Sequence, residues 1–477
     1  MPLRPPGRLK TNSMRFAGAD DDHHYRLRVV MLPWLAHGHA SPFLELAKRL
    51  SHHSVLVHLV SSPAVLASLR THLHSDSHPS VHLVDLPLPS AHLPPPLHST
   101  KNLPSHLMPS LKHAFDLSAP DFGRLLACLR PDVLLYDFIQ PWAPLLASAL
   151  AIPAIQFLTT AASTAVFFAH YARHPDEDLP FPSLCLGAKE NLEHVAGMNQ
   201  IANGVADLDR FFQCMDRSTG FIAVRTFREI EAKYINHFEQ EIGKEIVPVG
   251  PLVPDDDDDD DDDDTDGDES TLSVMRWLDE KEADSVVLAT FGSEYFMGEE
   301  EMREVARGLE LSGLGFVWVI RFPAKDAEEV KSKAVVRREG RGLVVEGWAA
   351  QRRILAHRSV GGFLTHCGWS SVLEAMKCGV PMVALPRQLD QPANAKLVEE
   401  VGAGREVRKA KGALGMFNGE EVARGIKEVV VGAEGEEVRR RAREVAAMMA
   451  KKGDEEIGAL VEKMAALCEE TAKKVLG

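Results

Sequence analysis

Residues 348–391 read WAAQRRILAHRSVGGFLTHCGWSSVLEAMKCGVPMVALPRQLDQ. Within them, Val360 to Leu364 is a short apolar run, the mark of a buried strand. His366-Cys367-Gly368-Trp369-Ser370-Ser371 follows it. Val372, Leu373, Ala375 and Met376 then recur at helical spacing until Gly379 and Pro381, residues that end helices. A loop that leaves a strand and enters a helix offers unbonded backbone N–H groups and the positive end of the helix dipole to an anion. His366 adds a donor, Gly368 permits close backbone approach, and Ser370 and Ser371 add hydroxyls. The set suits a diphosphate. The same kind of Gly/Ser turn also occurs in α/β proteins with no ligand there.

The flanking residues each carry two readings. Ser371 and Glu374 fit a capping box, in which Glu374 only satisfies the helix start; alternatively Glu374 faces a cleft and accepts hydrogen bonds from a ribose diol. Trp348 ends the run 342–347 and, with Ala349, sits where a strand opens into a loop. Its indole stacks on a flat base or covers the core. Asp390 and Gln391 follow an apolar strand, Pro381 to Pro386. They bind sugar hydroxyls, or cap the helix that opens at Pro392. Collected at one sheet edge, these features point to a nucleotide-sugar site.

The whole stretch resembles, without a gap, the signature box of the plant family 1 UDP-glycosyltransferases. That pattern opens W-x-P-Q, passes through H-x-G-W-N-S-x-x-E and closes D-Q. The chain keeps Trp348, Gln351, His366, Gly368, Trp369, Ser371, Glu374, Asp390 and Gln391. It departs at Ala350, where the family has Pro, and at Ser370, where it has Asn. The first change loosens a turn; the second shortens a polar contact near the phosphates. The resemblance implies that Trp348, beside Ala349, stacks on uracil and that Gln351 and Glu374 hold the ribose. It places His366 and Ser371, with Gly368, Trp369 and Ser370 in the same loop, at the diphosphate, and Asp390 and Gln391 at the transferred sugar. The closing Gln391 resembles glucose-using members, so UDP-glucose is the expected co-substrate and no further cofactor is expected.

Composition bounds the rest. The 477 residues leave room for two or three domains. The formal charge is −16, from 69 acidic and 53 basic residues. The run Asp255 to Asp264 accounts for most of it, and like-charge repulsion marks that run as a solvated loop insertion. Nothing here suits a nucleic-acid binder. The six cysteines form no C-x-x-C pair, which favours a reducing compartment and a cytoplasmic protein. The histidines between His23 and His113 show no metal-ligand spacing, so no metal is expected. No apolar signal region is seen; the Pro/Arg-containing, then acidic start reads as disordered, with Met14 a second candidate start. The uncharged stretch Ile139 to Ala169 is broken by Pro141, Pro144 and Pro153. It reads as helix, strand and helix rather than a membrane span.

In chain order, apolar strand runs alternate with helical patterns in both halves, which predicts parallel, doubly wound sheets. Leu27–Leu32, Val55–Val60, Val81–Leu86, Pro131–Asp137, Ala154–Leu158 and Phe221–Arg225 are the strands of the first half. Ser285–Phe291, Gly315–Arg321, Gly342–Glu346, Val360–Leu364 and Pro381–Leu385 are those of the second. Residues 247–254 read as the crossing between halves, and 181–203 as an irregular wall of an acceptor pocket. Phe291-Gly292-Ser293 is a small turn whose Ser293 reaches the phosphates. The fold class is therefore α/β, with two Rossmann-like domains facing across a cleft (the GT-B type, by the resemblance). The domains expected are a 1–25 extension, an acceptor domain over 26–250, an acidic linker over 251–270, a donor domain over 271–455, and a last helix over 456–477. By the resemblance that helix packs back on the first domain. A monomer binding a UDP-sugar and a small-molecule acceptor is expected.

Chemistry must then come from the first half. An acceptor hydroxyl needs a base, and histidine titrates in the right range. His39 follows the first strand just before a helix, where a neutral imidazole is favoured. Asp137 ends a strand of the same sheet and can hold the other ring nitrogen. His37 is a competitor. The family's G-H after the first strand corresponds to Gly38-His39, and its strand-end Asp before an aromatic to Asp137-Phe138. The expected reaction is one in-line displacement with inversion, the activated hydroxyl attacking the anomeric carbon from the face opposite UDP. Phe291-Gly-Ser-Glu-Tyr-Phe296 and Cys367-Gly-Trp-Ser-Ser371 resemble the subgroup that adds sugar to the sugar of an existing glycoside. Other readings are an aglycone acceptor, an inactive nucleotide-sugar binder, and a NAD-dependent oxidoreductase, which the missing G-x-G-x-x-G disfavours.

Overall fold

The computed structural model describes residues 25–73, 77–90, 93–101, 103–197, 199–254, 269–292, 295–322, 335–408, 417–452 and 454–476. Nearly all of the N-terminal extension, the Asp255 to Asp264 run and Ser293 lie outside them.

Nine strands precede residue 250: β1 Leu27–Leu32, β2 Val55–Ser61, β3 Val81–Asp85, β4 Val133–Tyr136, β5 Ala154–Leu158, a short hairpin of β6 Ile201–Ala202 and β7 Val205–Ala206, β8 Phe221–Val224 and β9 Glu245–Pro248. Seven of them form a parallel sheet in the order β3-β2-β1-β4-β5-β8-β9. Val29 of β1 lies level with Val57 on one side and Val133 on the other. The strands are apolar almost throughout because helices cover both faces.

The second half adds β10 Val286–Thr290, β11 Gly315–Ile320, β12 Val335–Glu339, β13 Gly342–Glu346, β14 Val360–Thr365, β15 Met382–Ala384 and β16 Gly404–Glu406. Their order is β12-β13-β11-β10-β14-β15-β16, parallel except for the antiparallel β12–β13 edge. The expected doubly wound α/β fold is present twice. Four edge features were not expected: β9, β12, β16 and the β6–β7 hairpin. They are short and carry weak apolar patterns. Residues 247–254 begin inside β9 rather than forming only a crossing, and the 181–203 stretch contains the helix Ala188–Gly197.

Both sheets reverse winding direction next to their first strand. In the first sheet the chain runs outward from β1 on one side and from β4 on the other, so the loops after β1 and β4 diverge and leave a crevice. In the second the same holds between β10 and β14. The uncharged 139–169 stretch becomes the helix Trp142–Ala149, β5 and the helix Ala162–Arg173. Among the described residues no helix is long and apolar enough to cross a membrane.

The last helix, Glu455–Leu476, returns to the first half. Ile457, Leu460, Val461 and Met464 are buried in the same apolar cluster as β1 and β2, and Arg26 pairs with Glu462 at 2.6 Å. A second cluster continues from Ala165 and Val166 through Trp369 and Val372 into the second sheet. The halves therefore share a core beneath the cleft.

Candidate active site

One cavity of about 1610 Å³ is lined by residues of both halves. His39 lies in it, in the first turn of the helix His37–Ser51. The helix starts earlier than expected, with Pro42 inside it, so His39 is within the helix start rather than before it. The dipole argument for a neutral ring is unchanged. His39 Nδ1 stands 2.8 Å from Asp137 Oδ2 and 2.9 Å from Thr159 Oγ1. Asp137 is fully buried and accepts backbone N–H groups of Trp34 and Phe138 at 3.0 and 2.8 Å, which fixes its carboxylate. The His39 ring also stacks on Phe138 at 5.2 Å. A proton on Nδ1 makes Nε2 the basic nitrogen. His37, the competitor, has a buried Nδ1 with no partner. It stands edge-on to Trp348 at 5.5 Å. Burial, with the field of Lys101, holds it down at about 4.

Across the cavity, the reversal between β10 and β14 brings the β10 turn against the β14 loop. A Cβ at Gly292 would stand 2.5 Å from His366 Nε2, and one at Gly368 2.7 Å from it. Both glycines are required by that close approach, and Gly292 also has φ +77°. Burial pushes His366 down to about 4, against its Thr290 backbone contact. The ring is uncharged at neutral pH, and its Nδ1 is buried without a partner. Gly368 is the N-cap of the helix Trp369–Cys378, which Gly379 closes at φ +69°. Ser370 and Ser371 therefore lie in its first turn. The capping-box reading of Ser371 and Glu374 fails, because Ser371 is three residues past the N-cap.

Several binding candidates are partly occupied by one another. Gln351 Nε2 donates to Ser371 Oγ at 3.0 Å and to Glu374 Oε2 at 2.8 Å, and its Oε1 accepts from Thr290. Trp369 spends its indole N–H on the Arg225 carbonyl, 2.8 Å away, so it joins the halves instead of offering that group to a ligand. Gln391 Oε1 accepts the Arg387 and Gln388 amides at 2.9 and 3.0 Å, shaping the loop before it. Asp390 is the N-cap of the helix Gln391–Val401 but makes no capping bond. It accepts from Asn394 at 2.8 Å instead. Burial raises its carboxyl, with Asn394 and the field of His39 opposing. Trp348 is 45% exposed, and Lys101 Nζ and Arg321 Cζ lie 5.3 and 5.9 Å from its ring centre. Ala349 lines the cavity. Ser293 lies outside the described residues.

Sequence reading missed Thr159, Lys101, Arg225, Arg321 and Asn394. Asn394 donates to the Cys367 carbonyl at 3.0 Å and accepts from Thr164 of the first half at 2.7 Å. Position in a Rossmann-like loop was the available signal for Thr159 and Arg225, since both follow strand ends. Nothing local distinguished Lys101 or Asn394.

Two facing doubly wound sheets, with a histidine–carboxylate pair on one and a glycine-bounded helix start on the other, define a GT-B-type nucleotide-sugar enzyme. A sequence model described as "UDP-glucoronosyl and UDP-glucosyl transferase" matches residues 123–435. The chain is 43% identical to UDP-glucosyltransferase 29 of Panax ginseng over 94% of this chain and 98% of that one. It is 38% identical to flavanone 7-O-glucoside 2''-O-beta-L-rhamnosyltransferase of Citrus maxima, over 93% and 98%. The structure of Phytolacca americana UGT2 complexed with UDP-2fluoro-glucose and pterostilbene is similar at TM-score 0.69, 26% identity and 94% and 99% coverage. The chain belongs to the UDP-glycosyltransferase family and is an enzyme that transfers a sugar from a UDP-sugar.

Proposed function

We propose that the enzyme transfers glucose from UDP-glucose to a hydroxyl on the sugar of a flavonoid or terpenoid glycoside, with inversion and without a metal. The observation that carries this reading is the His39–Asp137 pair facing the β14 loop across one cavity. His39 Nε2 takes the acceptor proton as the oxygen attacks the anomeric carbon. The bond from that carbon to UDP breaks on the opposite face. Asp137 stabilises the imidazolium, and the start of the Trp369–Cys378 helix with Ser371 receives the leaving diphosphate. Trp348 stacks on uracil, Gln351 and Glu374 hold the ribose, and Asp390 with Gln391 holds the sugar.

The glycoside acceptor is supported by the cavity volume of about 1610 Å³, above the roughly 300–1,000 Å³ of a pocket for one small ligand. Donor and a glycoside together need such room. The Citrus relative acts, by its name, on a flavanone glucoside. A monomer is proposed because one chain supplies both walls. The six free cysteines support a cytoplasmic place of work.

The test is a UDP-release screen of several UDP-sugars against paired glycosides and aglycones. Release with UDP-glucose and glycosides, and a fall of about 10²-fold or more in His39→Ala, is expected. Aglycones used in preference to their glycosides overturn the acceptor assignment. Transfer unchanged in His39→Ala overturns the base.

A further inference from the structure

Arg225 directly follows β8 in the acceptor half, yet its guanidinium reaches the first turn of the Trp369–Cys378 helix. Nη1 donates to Ser370 Oγ at 2.7 Å. Nε and Nη2 donate to the Pro251 and Leu252 carbonyls at 2.8 and 3.0 Å. The residue is 3% exposed and lines the cavity. Among the described residues it forms no ion pair; Glu374 and Glu45 act on it only through space. Burial lowers it to about 10, which leaves it charged at neutral pH.

A cation this deep without a counter-ion is costly, since desolvation is not repaid by a partner. An anion at the adjacent helix start would repay it. The rest of the loop does not supply that charge, because His366 is uncharged. A guanidinium has five N–H groups arranged to meet phosphate oxygens, and three atoms here each use one bond, leaving two donors. Ser370 stands where the family pattern has Asn, and its short hydroxyl side chain is the one that Arg225 holds.

We propose that Arg225 is a diphosphate-binding residue, so that the acceptor half contributes a fixed positive charge to the donor. This rests on the nucleotide site proposed above. A purely structural role, tying β8 to the 251–254 segment and to Trp369, is the competing account. It makes no distinction between a nucleoside and its diphosphate.

Calorimetric titration with UDP and with uridine separates the two. Arg225→Gln removes the charge and Arg225→Lys keeps it; thermal denaturation verifies folding of each. In Arg225→Gln, UDP affinity is expected to fall about tenfold or more while uridine affinity stays within about twofold. In Arg225→Lys the UDP loss is smaller. Should the Gln variant not fold, the Lys variant decides: its UDP affinity, but not its uridine affinity, is expected to weaken from about pH 7 to about pH 10 more steeply than wild type, as a buried ammonium titrates early. A flat profile there overturns the proposal. So does UDP affinity unchanged in Arg225→Gln, or UDP and uridine affinities falling in equal proportion. Wild-type protein that binds no UDP overturns the nucleotide site as well; wild-type binding with an unaffected Gln variant overturns the role of Arg225 alone.

Discussion

Asp137 shows what single residues decide. Its carboxylate is fixed by two backbone N–H groups and holds His39 Nδ1. Asp137→Asn keeps the shape but removes the charge that, in the proposed reaction, stabilises the imidazolium. The expected outcome is a fall in kcat of about 10²–10⁴-fold with UDP affinity unchanged, read by steady-state kinetics and calorimetry. Histidines elsewhere set a pH dependence of stability. Burial holds the His366 imidazole at about 4 against an ordinary 6.5. As pH falls through that window the unfolded chain takes up a proton that the folded chain refuses. Stability is therefore present above pH 6.5 and lost towards pH 4. Denaturant titrations across this range should show His366→Gln flattening the slope by about one proton, or about 1.4 kcal/mol per pH unit.

At the scale of elements, close approach governs. The helix Glu299–Ser312 crosses the helix Gly419–Val430 with Gly308 at the contact. A Cβ at Gly308 would stand 2.6 Å from Val422 Cβ, which leaves no space for a side chain. Gly308→Val should destabilise the protein by about 1–3 kcal/mol through overpacking, measured as a shift in denaturation midpoint. The loops that carry the site follow the same rule. Gly292 and Gly368 clasp His366; the sequence showed Gly368 two residues past the histidine and Gly292 only as part of a small turn 74 positions away.

For the whole molecule, the notable connection is the return of the Glu455–Leu476 helix to the first sheet. Leu460 is fully buried against it. Leu460→Ala should cost about 2–5 kcal/mol although the site and the second sheet are untouched, and thermal denaturation reads it. The cleft itself depends on the shared core under it, where Ala165 and Trp369 belong to one apolar cluster. Loss of packing there would change the separation of the two walls of the cavity without altering either wall.

Local pattern was enough to read the central strands, because a buried parallel strand must be apolar along its length: β1, β5 and β13 run over the residues expected from their apolar runs. It also placed the stop of the Trp369–Cys378 helix at Gly379, since a left-handed residue favours glycine, whereas the start, read at Val372, lies three residues earlier because Trp369 to Ser371 already belong to the helix. The edge strands β9, β12 and β16 escaped, being short and weakly apolar, although the edge strand β3 was read. The sequence by itself supplied the candidate residues for a nucleotide-sugar site and the elements that carry them. Only the tertiary structure decided that His39, Asp137 and Thr159 converge, that Gln351 binds both Ser371 and Glu374, and that Arg225 crosses to the opposite half. Those contacts join residues 20 to 145 positions apart, and side chains so distant in the chain are brought together by sheet order and domain packing, which no local pattern records.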